Sequence, residues 1–179
     1  NNITNKDNAD MWIHESFTNY SETLYTESLL GKEKAQKYVI GTRRGIKNDI
    51  PIIGKYGVRN EGSGDMYPKG GNMIHTIRTV INNDEKFRQI LRGLNKDFYH
   101  QTVTTKQIED YISKKSGINF SKVFDQYLRT SQIPTLEYSQ EGTTLKYRWN
   151  STVEGFDMPI RINETETISP SKDWKTITL

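Results

Sequence analysis

Apolar residues recur with a helical period through the first two-thirds of the chain and with a two-residue period near its end. After Asp10, which stands where an N-cap is expected, Ile13, Phe17, Tyr20 and Leu24 fall on one face of an amphipathic helix that Gly31 ends. A second helix is predicted over about 32–44, with Ala35, Tyr38, Val39 and Thr42 on one side and Gly45 with Lys47-Asn48-Asp49 closing it. Pro51, Gly54, Gly57, Gly62, Gly64, Pro68, Gly70 and Gly71 then predict an irregular loop. Pro68 suits the first position of a helix carrying Met73, Ile74, Ile77, Val80 and Ile81. Asn82-Asn83-Asp84 reads as a turn and cap before Phe87, Ile90, Leu91, Leu94 and Phe98. Thr104 or Thr105 caps a further helix through Ile108, Tyr111 and Ile112, which Gly117 stops. Ser121 begins a last helix through Val123, Phe124, Tyr127 and Leu128, ending near Ser131.

Beyond Pro134 the pattern alternates: Leu136 and Tyr138, then Leu145, Tyr147 and Trp149, with Glu141-Gly142 as a hairpin turn and a further strand over 158–162. The prediction is an α+β chain, a helical region over 1–133 followed by a short antiparallel β segment over 134–179. Three short strands are too few for a sheet stable by itself, so the segment reads as the start of a larger β-domain cut at its end.

Composition narrows the function classes. A charge of +3 with acids and bases interspersed gives no basic stripe, so nucleic acid is not an expected partner. No apolar run is long enough to span a bilayer. The absence of cysteine excludes disulfides, thiolate metal sites and a cysteine nucleophile, and leaves the compartment open. Sequons at Asn2, Asn19, Asn119, Asn150 and Asn163 are no more frequent than chance supplies, and Asn19 falls inside a predicted helix. The chain begins without Met in a polar stretch and reads as a fragment.

Residue patterns by themselves stop short of a chemistry. Glu15, Asn19 and Glu22 share a helical stripe, which on an arbitrary helix is most often a solvated face. His14, His75 and His100 lie far apart, with no pair at the i, i+4 spacing of a zinc helix. The glycine-rich loop lacks Gly-Lys-Ser/Thr and is no phosphate-binding loop.

Two motifs in order carry a resemblance. Trp12-Ile13-His14-Glu15-Ser16-Phe17-Thr18-Asn19-Tyr20-Ser21-Glu22 is similar to the pattern Trp-Leu-Asn-Glu-Gly-Phe-Ala-x-Tyr-x-Glu of aminopeptidase N-like zinc metallopeptidases, the gluzincins. Tyr67-Pro68-Lys69-Gly70 resembles their Tyr-x-Lys-Gly signature, and Phe124–Leu128 with Ile133–Leu136 resembles the passage from catalytic domain to β-domain. The resemblance implies the helical lobe of a thermolysin-like (zincin) catalytic domain over 1–133, the start of a β-sandwich-like domain over 134–179, one Zn²⁺ per full-length catalytic domain, and a peptide substrate. It implies Glu15 as the third zinc ligand, beside two imidazoles from a His-Glu-x-x-His helix placed just upstream of Asn1. It implies Tyr67 as the phenol that stabilises the oxyanion, with Pro68 biasing its backbone to be extended. His14 and Glu22 are candidates for steadying the ligand from behind, with solvent exposure the alternative for His14. His14 and Ser16 depart from the usual Asn and Gly. Without the zinc helix the fragment is expected to be inactive, to bind zinc weakly, and to expose apolar surface near Trp12 and Phe17 that favours self-association. The alternative is a non-catalytic helical binding or scaffold module.

Overall fold

The structure, a computed structural model, describes residues 2–179. Six helices carry the first part of the chain: α1 (Trp12–Leu30), α2 (Lys32–Thr42), α3 (Pro68–Ile81), α4 (Asp84–Asp97), α5 (Thr105–Ser116) and α6 (Ser121–Arg129). Their ends follow local chemistry. Asn83 accepts the Lys86 N–H to cap α4, and Thr104 forms a reciprocal capping box with Gln107 at the start of α5. Gly117 ends α5 in the left-handed conformation that favours glycine. Pro68 opens α3, where its missing N–H costs nothing.

Several boundaries differ from the sequence expectation, and Gly70 and Gly71, expected in the irregular loop, lie inside α3. Asp10 is not the cap of α1: it lies in a short 3-10 turn, and its Oδ1 accepts from the Thr105 N–H at 3.0 Å, the Thr105 hydroxyl at 2.6 Å and the Tyr56 hydroxyl at 2.9 Å. Met11 takes the cap position with no side-chain bond. The second helix stops at Thr42 and tightens into a 3-10 turn over Arg43–Gly45. The last helix stops at Arg129 instead of near Ser131; Thr130 is extended, and its carbonyl accepts from Lys69 Nζ at 2.9 Å. Trp12 is not uncovered. It is fully buried against Phe124, and its indole N–H donates to the Thr105 hydroxyl at 2.7 Å. Phe17 lines an open groove of mixed character, with Ile3, Ile13 and Leu94 beside His14, Thr18 and Asn95.

The β structure has two separate origins. Short strands β1 (Ile3–Asn5) and β2 (Gln101–Val103) pair in parallel and fasten the beginning of the described chain to the start of α5. Strands β3 (Thr135–Glu141) and β4 (Thr144–Asn150) form the expected hairpin, with Gly142-Thr143 as its turn residues. A strand absent from the sequence reading, β7 (Lys175–Thr178), pairs antiparallel with β4, giving the order β3-β4-β7. The strand expected over 158–162 shrinks to β5 (Ile160–Arg161), paired with β6 (Thr167–Ile168).

One large core cluster runs through both regions. Trp12, Met73, Ile77, Phe120, Phe124 and Leu128 from the helices pack in the same cluster as Trp149 and Phe156. Each such side chain contributes about 1.5–3 kcal/mol of burial. The sheet therefore leans on the helices for its stability. A second cluster of Tyr20, Val39, Ile74 and Phe87 holds α1, α2, α3 and α4 together. No helix among the described residues is long and apolar enough to cross a membrane.

Candidate active site

Helices α1 and α3 lie side by side and run in the same direction, and small residues let their first turns touch. A β-carbon at Gly70 would overlap the Ser16 hydroxyl, and one at Gly71 would overlap the Asn19 amide oxygen, so only glycine permits this approach. Ser16 is fully buried there and donates to the Met66 carbonyl at 2.7 Å. Since Glu15 precedes Ser16 and Tyr67 follows Met66, one contact brings the two candidate residues together.

The Glu15 carboxylate stands beside the Tyr67 hydroxyl. The phenol pKa is raised, first by loss of surrounding water, then by the nearby Glu15 carboxylate, with Glu61 adding to it. Tyr67 is still 45% exposed, so the pair faces open space instead of the core. Glu15 lies in the first turn of α1.

Tyr67 is not extended. Its φ of −78° and ψ of −76° are helical, although a residue before proline ordinarily favours extended backbone. The Tyr67 N–H donates to the Gly64 carbonyl at 3.2 Å, and the Tyr67 carbonyl accepts from the Gly71 N–H at 2.9 Å. These bonds join the short turn Gly64–Met66 directly to α3. Within that turn Asp65 accepts the backbone N–H groups of Lys47 and Asn48, and just before it Ser63 donates to Asp49, which holds the end of the glycine-rich loop in place.

The other two candidates turn elsewhere. His14 Nε2 accepts the Asn5 N–H at 3.2 Å, which ties α1 to β1. Glu22 accepts from the Tyr38 hydroxyl at 2.5 Å, which ties α1 to α2. Lys69 is buried, and burial pushes its pKa down; its bond to Thr130 pins α3 to the end of α6. Farther along the same helix pair, Arg78 is buried against both Glu27 oxygens at 2.6 and 2.9 Å and against Asp84 at 2.8 Å. The Arg78 guanidinium holds the Asp84 and Glu27 carboxyls below the usual carboxylate range. No sequence pattern singled out this cluster.

Among the described residues no group of three or more His, Cys, Asp or Glu side chains could hold a metal ion. A hydrolytic zinc takes three protein ligands, so Glu15 suits one position of such a set and the residues of this chain do not complete it.

Comparison with known proteins bears on family and fold. A family model described as "Peptidase family M1 domain" matches residues 1–127. No curated protein matches. Among solved structures, Legionella pneumophila aminopeptidase A, in complex with aspartic acid, superposes with a TM-score of 0.70 at 15% identity, covering 99% of this chain and 22% of that one. A two-domain M1 zinc metallopeptidase variant bound to L-tryptophan gives a TM-score of 0.64 at 22% identity, covering 75% of this chain and 31% of the other. A Deinococcus radiodurans M1 zinc metallopeptidase variant bound to a Tyr-Ser-Ala substrate gives 0.59 at 21%, covering 72% and 29%. The chain thus spans less than a third of the length of each of these proteins, with which it shares a fold. On the strength of the family match across most of its length, this chain belongs to peptidase family M1.

Proposed function

We propose that this chain supplies part of the active site of a zinc-dependent aminopeptidase that removes N-terminal residues from peptides. Glu15 is the third zinc ligand and Tyr67 the donor to the oxyanion. Residues 1–133 belong to the catalytic domain and 134–179 begin a β-domain. The change from helices to strands between Arg129 and Thr135 supports that division.

One observation carries the reading. The α1–α3 contact sets a carboxylate beside a phenol on an open face, and no salt bridge among the described residues engages that carboxylate. Zinc held there with two imidazoles from outside residues 1–179 would supply an activated water and a polarised carbonyl. The residues of this chain have two tasks. Glu15 offers an anionic oxygen from the rigid first turn of a helix. The Tyr67 hydroxyl offers a proton donor aimed at the charge that develops on the scissile carbonyl oxygen, a contact stronger in the transition state than in the ground state.

The test uses a protein that carries this chain together with a His-Glu-x-x-His helix. Glu15→Gln is expected to lose bound zinc on dialysis. Tyr67→Phe is expected to keep zinc and KM while kcat falls about 10²–10³-fold, the usual cost of one oxyanion donor. Full zinc retention in the first variant, or an unchanged kcat in the second, would overturn the reading and favour a non-catalytic module. Residues 1–179 by themselves are expected to hold no stoichiometric zinc after dialysis, as metal analysis would show.

A further inference from the structure

The hydrogen bond from the Ser16 hydroxyl to the Met66 carbonyl joins the immediate neighbours of Glu15 and Tyr67. Ser16 is fully buried, so water does not compete for the bond. Three other bonds hold the backbone of Met66 and Tyr67: Met66 N–H to the Ser63 carbonyl, Tyr67 N–H to the Gly64 carbonyl, and Gly71 N–H to the Tyr67 carbonyl. All three are local to residues 63–71. They define the shape of the turn but not its place relative to α1.

Ser16 provides that reference. It is the residue of α1 that reaches across, and the missing β-carbon of Gly70 leaves the gap its hydroxyl fills. A glycine at position 16 would leave the Met66 carbonyl without this donor. A threonine would force a methyl group into an already filled space. Resting on the functional reading above, we infer that Ser16 is a positioning residue, whose hydroxyl sets where the Tyr67 phenol stands relative to the Glu15 carboxylate. Without it, Tyr67 is free to move toward the extended backbone that a residue before proline prefers.

The experiment compares Ser16→Ala with Ser16→Ala/Tyr67→Phe in an active, zinc-loaded protein that carries this chain. The single variant is expected to keep its zinc and its KM while kcat falls about tenfold, the scale of one lost buried hydrogen bond. Adding Ser16→Ala to Tyr67→Phe is expected to cost nothing more, because the effect runs through the phenol. A merely structural serine would lower kcat by the same factor in both backgrounds, and that result would overturn the inference. An unchanged kcat in Ser16→Ala beside a large loss in Tyr67→Phe would also overturn it. An unchanged kcat in Tyr67→Phe would instead overturn the functional reading. Residues 1–179 provide a second, activity-free measurement. Amide exchange at Gly71, which donates to the Tyr67 carbonyl, is expected to quicken about tenfold in Ser16→Ala while amides at the far end of α3 keep their rates. Equal exchange at Gly71 in both proteins would sink the positioning role.

Discussion

Glu15 and Glu27 sit near opposite ends of α1, and both stand where that helix meets α3 or its leading turn, yet their surroundings differ. At the far end Glu27 is gripped through both oxygens by the buried Arg78, which also holds Asp84. At the near end small residues make the contact, Ser16 against Gly70 and Asn19 against Gly71, and Glu15 is left facing a phenol. A carboxylate neutralised by a buried guanidinium is committed to the fold. A carboxylate without a cation, beside an exposed tyrosine, is available to something outside the fold. The helix pair therefore differs along its length, with electrostatic anchoring at one end and, at the other, the carboxylate and phenol to which the proposed function assigns the chemistry.

The sharpest way to break that contrast is to remove the anchor. Arg78→Met leaves the Glu27 carboxylate without its partner and Asp84 with Lys32 alone, and is expected to cost about 3 kcal/mol in urea unfolding. Gly70→Ala attacks the other end by sterics alone. It is expected to cost about 1–3 kcal/mol, as overpacking does, and to loosen residues 64–71 in amide exchange. Acid discriminates the two ends again. Arg78 holds the Glu27 and Asp84 pKa values below those of the unfolded chain. The unfolded state then binds more protons in acid. This contribution is complete above the ordinary carboxylate range near pH 4 and is lost as pH falls toward the lowered values. Urea midpoints at pH 6 and pH 3 should show this loss, and Arg78→Met should reduce it. The smallest effect is expected for Glu15→Gln, which should change the stability of residues 1–179 by less than about 0.5 kcal/mol in the same assay. A large loss there would mean that Glu15 is structural too.

Local chemistry made much of the fold legible. The capping box at Thr104, the Asn83 cap, Pro68 at the first turn of α3 and the stop at Gly117 all act within a few residues of themselves, and each could be read from its neighbours. What could not be read depends on partners far along the chain. Asp10 has the sequence context of a cap, but Thr105 outcompetes the nearby helix for its carboxylate. Lys69 binds the Thr130 carbonyl at the end of α6 from far along the chain, and β1 pairs with β2 across most of the helical region. The candidate site divides the same way. Motif resemblance singled out Glu15 and Tyr67, whereas the bond from Ser16 to the Met66 carbonyl, which ties the turn before Tyr67 to α1, joins residues that no local rule pairs.

The three indoles of the chain sit in three different settings. Trp12 is enclosed by the helices, Trp149 stacks edge-on against Phe156 in the shared cluster, and Trp174 lies on the sheet surface beneath the Lys146 and Arg148 cations. Their emission accordingly reports on separate parts of the molecule. In variants keeping one indole each, a melt in which Trp12 and Trp149 shift to the red together would show that helices and strands come apart as one cooperative unit. An earlier shift of Trp174 alone would time the fraying of the last strand.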